Sequence, residues 1–337
     1  MTRKIKRRER RKRRKEMQQE WIGKKLAKQK YNEEKFLQLH KMGVRHKRKS
    51  KDRGRLQSRR VARENVLLGV QNWQSLLQIT QKKPTVTVAL PMYRSRTIAW
   101  LALESLARQK NVDFSWELLI AEEREAHAFG PRQIKKYIAQ LEKAGCVSIQ
   151  YLSLNKWMPL SQKWVLLAQR ASETNCFILQ AADNYSQPFR LKETRDIFLQ
   201  RDVDWSHMTQ GLFYDISSFS YARYDHRLWK WPTALNIAIQ TSHMKRVPIY
   251  RQKRYVDGWL FRMIHKQCGR NFNVVINNTN NWNKGVFTHG ANNITSWRSR
   301  KIQLGIAPMQ KYSGDVEIPR DISNKLKKTS PLRLGRV

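Results

Sequence analysis

The chain has 337 residues, 67 of them Lys or Arg against 26 Asp or Glu, a net charge of +41. That length holds one large domain or two small ones, and the charge points to a polyanionic partner, nucleic acid first. Composition excludes a disulfide scaffold: Cys146, Cys176 and Cys268 are far apart, odd in number and without Cys-x-x-Cys spacing, which fits a reduced intracellular protein and argues against a zinc site.

No run approaches the roughly 18 apolar residues of a spanning helix, and the basic amino terminus leads into no apolar stretch of a secretory signal. A soluble, cytoplasmic protein is the expectation. Residues 1–60 carry 26 of the basic and 6 of the acidic side chains, so about half of the excess lies outside them. Blocks such as Arg10-Arg11-Lys12-Arg13-Arg14-Lys15 repel themselves, and apolar residues are scarce. This segment reads as a basic arm, disordered or forming short helices around Trp21, Ile22, Leu26 and Phe36 on contact with a partner. From Val61 to Lys83, Val66, Val70, Trp73 and Leu77 make one stripe of an amphipathic docking helix.

A regular alternation follows. Thr85 to Leu90 is a β-branched strand, stopped by Pro91. Ile98, Leu101, Ala102 and Leu106 share a helix face. Trp116 to Ala121 is a second strand ending in Glu122 and Glu123. Ile134, Tyr137, Ile138 and Leu141 give a second helix capped by Gly145, and Val147, Ile149 and Tyr151 a third strand. Leu160, Trp164, Leu167, Ala168 and Ala171 form a third helix stripe, and Phe177 to Leu179 a buried strand. This spacing predicts an α/β fold with a largely parallel sheet covered by helices. No Gly-rich phosphate fingerprint follows the first strand.

Asn184, Ser186 and Pro188 read as the turn after the Phe177 strand, which sets Asp183 at or just past its carboxyl end. A carboxylate there can hold a hard divalent cation and, through it, phosphate oxygens. The alternative is that Asp183 and Asn184 are simply turn formers. Leu235 to Ile239 reads as a further strand. Val256, Leu260 and Ile264 give a helix closed by Gly269, with Asp257 in its first turn, where the helix dipole favours negative charge; Asp257 as an N-cap is the plainer use. Residues 288–293 form a loop, and 311–337 a basic tail.

From about Thr85 to Arg300 the order of these parts resembles the nucleotide-sugar glycosyltransferases of the GT-A fold, most closely the large family 2 group. Val86-Thr87-Val88-Ala89-Leu90-Pro91-Met92-Tyr93 is similar to that family's opening strand, and Glu117 to Glu123 to its strand ending in paired acids. Asp183 falls on the last carboxylate of the D-x-D motif, with Ala181 at the first. Tyr255-Val256-Asp257-Gly258-Trp259-Leu260 resembles the acidic motif that supplies the base. The resemblance implies a GT-A domain over 84–310, a Rossmann-like mixed sheet flanked by helices. It implies Pro91, Tyr93 and Glu122 or Glu123 around the nucleoside, a Mn²⁺ or Mg²⁺ ion on Asp183 with His289, Asp257 as general base, and Arg298 or Arg300 at the diphosphate. No Q-x-x-R-W signature is present, which speaks against a processive polysaccharide synthase.

The expected reaction is inverting sugar transfer from a nucleotide-diphosphate sugar to a hydroxyl. A hydroxymethylated base in DNA fits the charge, with the host cytoplasm of a viral system as the setting. Two alternatives stand beside it: a peripheral enzyme that uses its arm on anionic lipid and glycosylates a surface polymer, and a non-catalytic nucleic-acid-binding protein on the same scaffold.

Overall fold

The computed structural model describes residues 72–200, 202–208, 210–215, 220–225, 237–248, 256–276, 287–288, 309–312, 321–322 and 324–325, with backbone alone at 210–215, 220–225, 287–288 and 309–312. All of them belong to one unit, Asn65–Val337. The arm at 1–60 and the first part of the expected docking helix, 61–71, lie outside the described residues.

In chain order the elements are β1 (Asn72–Gln78), β2 (Val86–Met92), α1 (Trp100–Ala107), β3 (Trp116–Glu123), α2 (Gly130–Ile134), a 3₁₀ turn, α3 (Ile138–Lys143), β4 (Cys146–Leu154), α4 (Leu160–Arg170), β5 (Cys176–Leu179), β6 (Asn184–Tyr185) and α5 (Arg190–Gln200). There follow β7 (Trp205–His207), β8 (Gln210–Asp215), β9 (Ser220–Asp225), β10 (Ala238–Gln240), α6 (Thr241–Lys245), α7 (Val256–Cys268), β11 (Val274–Ile276), β12 (Phe287–Thr288) and β13 (Met309–Tyr312).

Eight strands join in the order β1-β4-β3-β2-β5-β10-β7-β11, and five in a second sheet, β13-β9-β8-β12-β6. The block β4-β3-β2-β5 is parallel. Every residue of β2, β3 and β5 is buried, as near-continuous apolar runs require when both faces of a parallel sheet are covered. Alternation along the strands divides two cores. Val86, Val88, Leu90, Leu118, Ile120, Ile149 and Ile178 meet Leu101 of α1, Leu141 of α3 and Leu191 of α5. Ala89, Leu119, Ala121, Leu152, Phe177 and Leu179 meet Trp164 and Leu167 of α4, Met244 of α6 and Leu260 of α7. This is the mixed, helix-flanked α/β sheet that the sequence predicts.

Three expectations are corrected. Residues 72–78 are a strand, not the end of a docking helix: β1 pairs antiparallel with β4, whose outer edge has backbone donors and acceptors that need partners. A register shift between Ser75 and Leu77 lets Trp73 and Leu77 pack against opposite cores, so their helical spacing is coincidental. Trp73 also lies beneath the Arg170 guanidinium, 5.5 Å from its ring centre. Secondly, β2 runs through Pro91 instead of stopping there. Pro91 has the same parity as Ala89, whose carbonyl accepts Gln180 N–H, the last bond to β5. An amide hydrogen at 91 would point where β5 has already left, so its absence costs nothing. Thirdly, the boundary expected at residue 310 falls inside β13, which pairs with β9. Ile322 is fully buried, Arg108 bonds Asp321, and Lys325 Nζ lies 2.8 Å from Glu104. These parts of 311–337 belong to the folded body.

Gly145 links α3 to β4 at φ +89°, and a Cβ there would stand 2.9 Å from the Phe114 carbonyl oxygen. Left-handed strain and a backbone clash act together, so Gly145→Ala should destabilise the protein by about 2–3 kcal/mol, read from the urea midpoint at unchanged slope.

Candidate active site

The chain passes from β2 outward to β3 and β4, then returns to place β5 on the other side of β2. The strand order therefore reverses between β2 and β5. The crevice at the carboxyl ends of two such strands is the usual ligand position in open α/β sheets. Met92 and Tyr93 line one lip and the turn after β5 the other.

That turn carries Asp183, half-buried, as the sequence predicts. It is closed by side chains the sequence reading missed. Gln180 Nε2 donates to the carbonyls of Ala181 (3.0 Å) and Asn184 (2.9 Å), while its Oε1 accepts Ser186 Oγ–H at 2.6 Å and an Arg190 Nη1 hydrogen. Arg190, the first residue of α5, also donates to Ser186 Oγ and to the Leu179 carbonyl, both at 2.8 Å. It is 4% exposed and bonds only neutral oxygens, and burial lowers the guanidinium to about 9. The run of small polar residues after a buried strand announced a turn; a buried Arg bonding back to a Gln ten residues earlier has no sequence signature.

Glu122 and Glu123 end β3 with different surroundings. Glu122 is fully buried, and its two oxygens accept Ser95 Oγ–H, Phe129 N–H, Gly130 N–H and Tyr151 O–H at 2.7–3.2 Å. Burial raises its pKa, opposed by those four donors. Four donors fill the acceptor capacity of a carboxylate, so Glu122 fastens the α2 loop to the sheet. Glu123 meets Lys163 Nζ at 2.6 Å and accepts Met158 N–H at 3.0 Å. Lys163, from α4, also donates to the Met92 carbonyl at 2.5 Å and sits 5.6 Å from the centre of the Tyr93 ring. Burial depresses the Lys163 ammonium, with Glu123 opposing. Tyr93 is 43% exposed at the mouth, and Pro91 is buried behind it.

Asp257 stands in the first turn of α7. Cys268, at the other end, approaches His243 Nε2 at 3.6 Å, and His243 bonds Asp204 at the start of β7. Phe261 stacks edge-on to Trp205, 5.2 Å between ring centres. Asp257 therefore stands about 16 Å along the helix from Cys268 at the helical rise. Asp183 follows the carboxyl end of β5, and Asp257 stands at the end of α7 remote from Cys268. His289, Arg298 and Arg300 lie outside the described residues, as do 235 and 236 of the expected strand.

No family model matches the chain, and no curated protein does. Solved structures resemble it. Staphylococcus aureus TarS does so at 11% identity and TM-score 0.46, over 72% of this chain and 42% of that one. TarS 1–349 with UDP-GlcNAc does so at 14% identity and TM-score 0.47, over 63% and 61%. The mannosyltransferase PcManGT from Pyrobaculum calidifontis, with GDP-Man and Mn²⁺, does so at 12% identity and TM-score 0.43, over 80% and 76%. The chain spans less than half the length of the first of these. The class defined here is one of architecture: a mixed α/β sheet flanked by helices.

Lys163→Met would leave Glu123 buried without its cation. The loss should be about 3–5 kcal/mol in denaturant unfolding, and adding Glu123→Gln should restore most of it, since a neutral amide tolerates the site.

Proposed function

We propose that this protein is a glycosyltransferase that moves a sugar from a nucleotide-diphosphate sugar to an acceptor hydroxyl, with inversion. The observation that carries the reading is the strand-order reversal between β2 and β5, with Asp183 in the turn just past the carboxyl end of β5. Asp183 there suits a metal-bound leaving group, and Asp257, in the first turn of α7, suits a proton acceptor.

The resemblance implies a divalent cation, and the residues fit one of modest demands. Among the described residues no group of three metal-ligating side chains includes Asp183, and Ala181 stands where a second carboxylate would be. Mg²⁺ or Mn²⁺ needs only one or two protein carboxylates when water and diphosphate oxygens complete the shell. Asp183 would hold it, with His289 as a second ligand; when bound, the cation offsets charge on the departing diphosphate. Asp257 takes the proton from the acceptor hydroxyl. The oxygen's electron pair forms the new bond at the anomeric carbon, while the sugar–phosphate bond breaks and its electrons leave with the nucleoside diphosphate. Pro91, Tyr93 and Glu123 frame the nucleoside, and Glu122 supports that frame from beneath.

For the acceptor we favour a hydroxymethylated base in duplex DNA, flipped into the crevice. The support is charge: with residues 1–60 set aside, the remaining chain still carries 41 of the basic and 20 of the acidic side chains.

The test joins donor binding to turnover. Calorimetry with UDP-GlcNAc, GDP-Man and other nucleotide sugars should show Mn²⁺- or Mg²⁺-dependent binding that Asp183→Ala removes. Asp257→Asn should leave donor affinity within about twofold while transfer falls at least ~100-fold. Label should pass to a hydroxymethylated oligonucleotide; transfer only to saccharide on anionic vesicles would select the peripheral reading. DNA binding with no donor bound and none hydrolysed would select the non-catalytic one.

A further inference from the structure

At the opposite edge of the sheet three side chains from distant parts of the chain converge. Asp204 precedes β7, His243 lies on α6 and Cys268 ends α7; one ligand atom from each lies within 4.8 Å of the others. Among the described residues no other group of three metal-ligating side chains does this. Asp204 is 8% exposed and the other two are half-buried.

The arrangement is not a catalytic relay. In a Cys-His-Asp triad the thiol and the carboxylate address different ring nitrogens. Here Cys268 Sγ and Asp204 Oδ1 both approach His243 Nε2, at 3.6 and 2.5 Å. Three donors gathered around one point suit coordination. With Zn–S near 2.3 Å and Zn–N near 2.0–2.1 Å, a tetrahedral ion holds sulfur and nitrogen about 3.5 Å apart, which matches the Sγ–Nε2 separation. The Asp204–His243 contact is a hydrogen bond and would open by about 0.8 Å to admit the ion. Asp204 Oδ2 is meanwhile held by Asn273 N–H at 2.8 Å.

We propose that Asp204, His243 and Cys268 bind a zinc ion, with water as the fourth ligand. The mixed sulfur, nitrogen and oxygen set selects a borderline-soft cation over Mg²⁺ or Ca²⁺. Bound there, zinc ties β7, α6 and α7 together at the edge remote from Asp183. Arg246 is its competitor: its exposed guanidinium bonds His243 Nδ1, the nitrogen that carries the ring proton once Nε2 binds metal. Arg246 then turns to solvent. Spacing alone argued against a zinc site because the ligands are scattered over residues 204–268, with one cysteine among them.

Cobalt(II) makes the test direct, because a cysteine ligand gives a thiolate-to-cobalt charge-transfer band. Full-length protein, stripped with chelator, should develop that band to one equivalent of Co²⁺ and lose it to one equivalent of Zn²⁺. Zn²⁺ should raise the melting temperature. Cys268→Ser should abolish the band, His243→Ala should weaken cobalt binding at least ~10-fold, and Arg246→Ala should keep the band and tighten binding several-fold. Cys146 and Cys176 are fully buried and offer no substitute thiolate. No band in the parent chain overturns the proposal, whatever the variants do; so does a band undiminished in Cys268→Ser. A cation on Asp183 and His289 has no sulfur ligand and gives no such band, so this result is independent of the glycosyltransferase reading.

Discussion

Between β2 and β5 the last shared hydrogen bond runs from Gln180 N–H to the Ala89 carbonyl at 2.9 Å, and the geometry of the site descends from it. Up to that bond the two strands are locked in register inside a sheet covered on both faces. Beyond it they part: β2 continues to Pro91 and Met92, which need no partner on that side, and β5 breaks into the Asp183 turn. β3 and β4 lie on the far side of β2, and the chain that follows β5 returns to the end of α1, where Gln109 bonds Gln187 and Leu191. Glu123 and Lys163 then close the floor of one lip, and Gln180 and Arg190 fix the shape of the other.

The two halves of the molecule differ in how their parts are held. The parallel block depends on apolar burial, with Trp116, Phe177 and several leucines fully enclosed. The site edge depends on polar groups inside that enclosure: Glu122 with four donors, Lys163 between a carboxylate and a carbonyl, Arg190 among neutral oxygens. Buried charges of this kind contribute little net stability against apolar replacements, but each is costly once a partner is removed. The site edge is therefore the part of the structure least tolerant of single changes.

Much of the architecture was legible in the sequence because apolar periodicity reports burial directly. The strands at 86, 116, 146 and 176 and the helices over 100–107, 130–143 and 160–170 stand where β-branched runs and 3.6-residue stripes put them. Asp183 at a strand end and Asp257 in a first helical turn were legible for the same reason. β1 was not, since Trp73 and Leu77 obey a helical spacing that a register shift in an edge strand also satisfies. Nor were the internal commitments of Glu122, the Arg190 bonds, or the meeting of Asp204, His243 and Cys268. All of these depend on side chains brought together by tertiary structure, about which local pattern is silent.

The ring of bonds among Leu179, Gln180, Ser186 and Arg190 is built within twelve successive residues. Its entropy cost falls on folding and not on ligand capture. On the proposed reading, a ligand at Asp183 would meet a turn already fixed, so association would require little ordering of the chain there and its affinity would reflect contacts more fully. The rigidity also limits adaptation. A turn clamped this way presents its carboxylate at one height above the sheet, and ligands of different reach must adjust themselves to it.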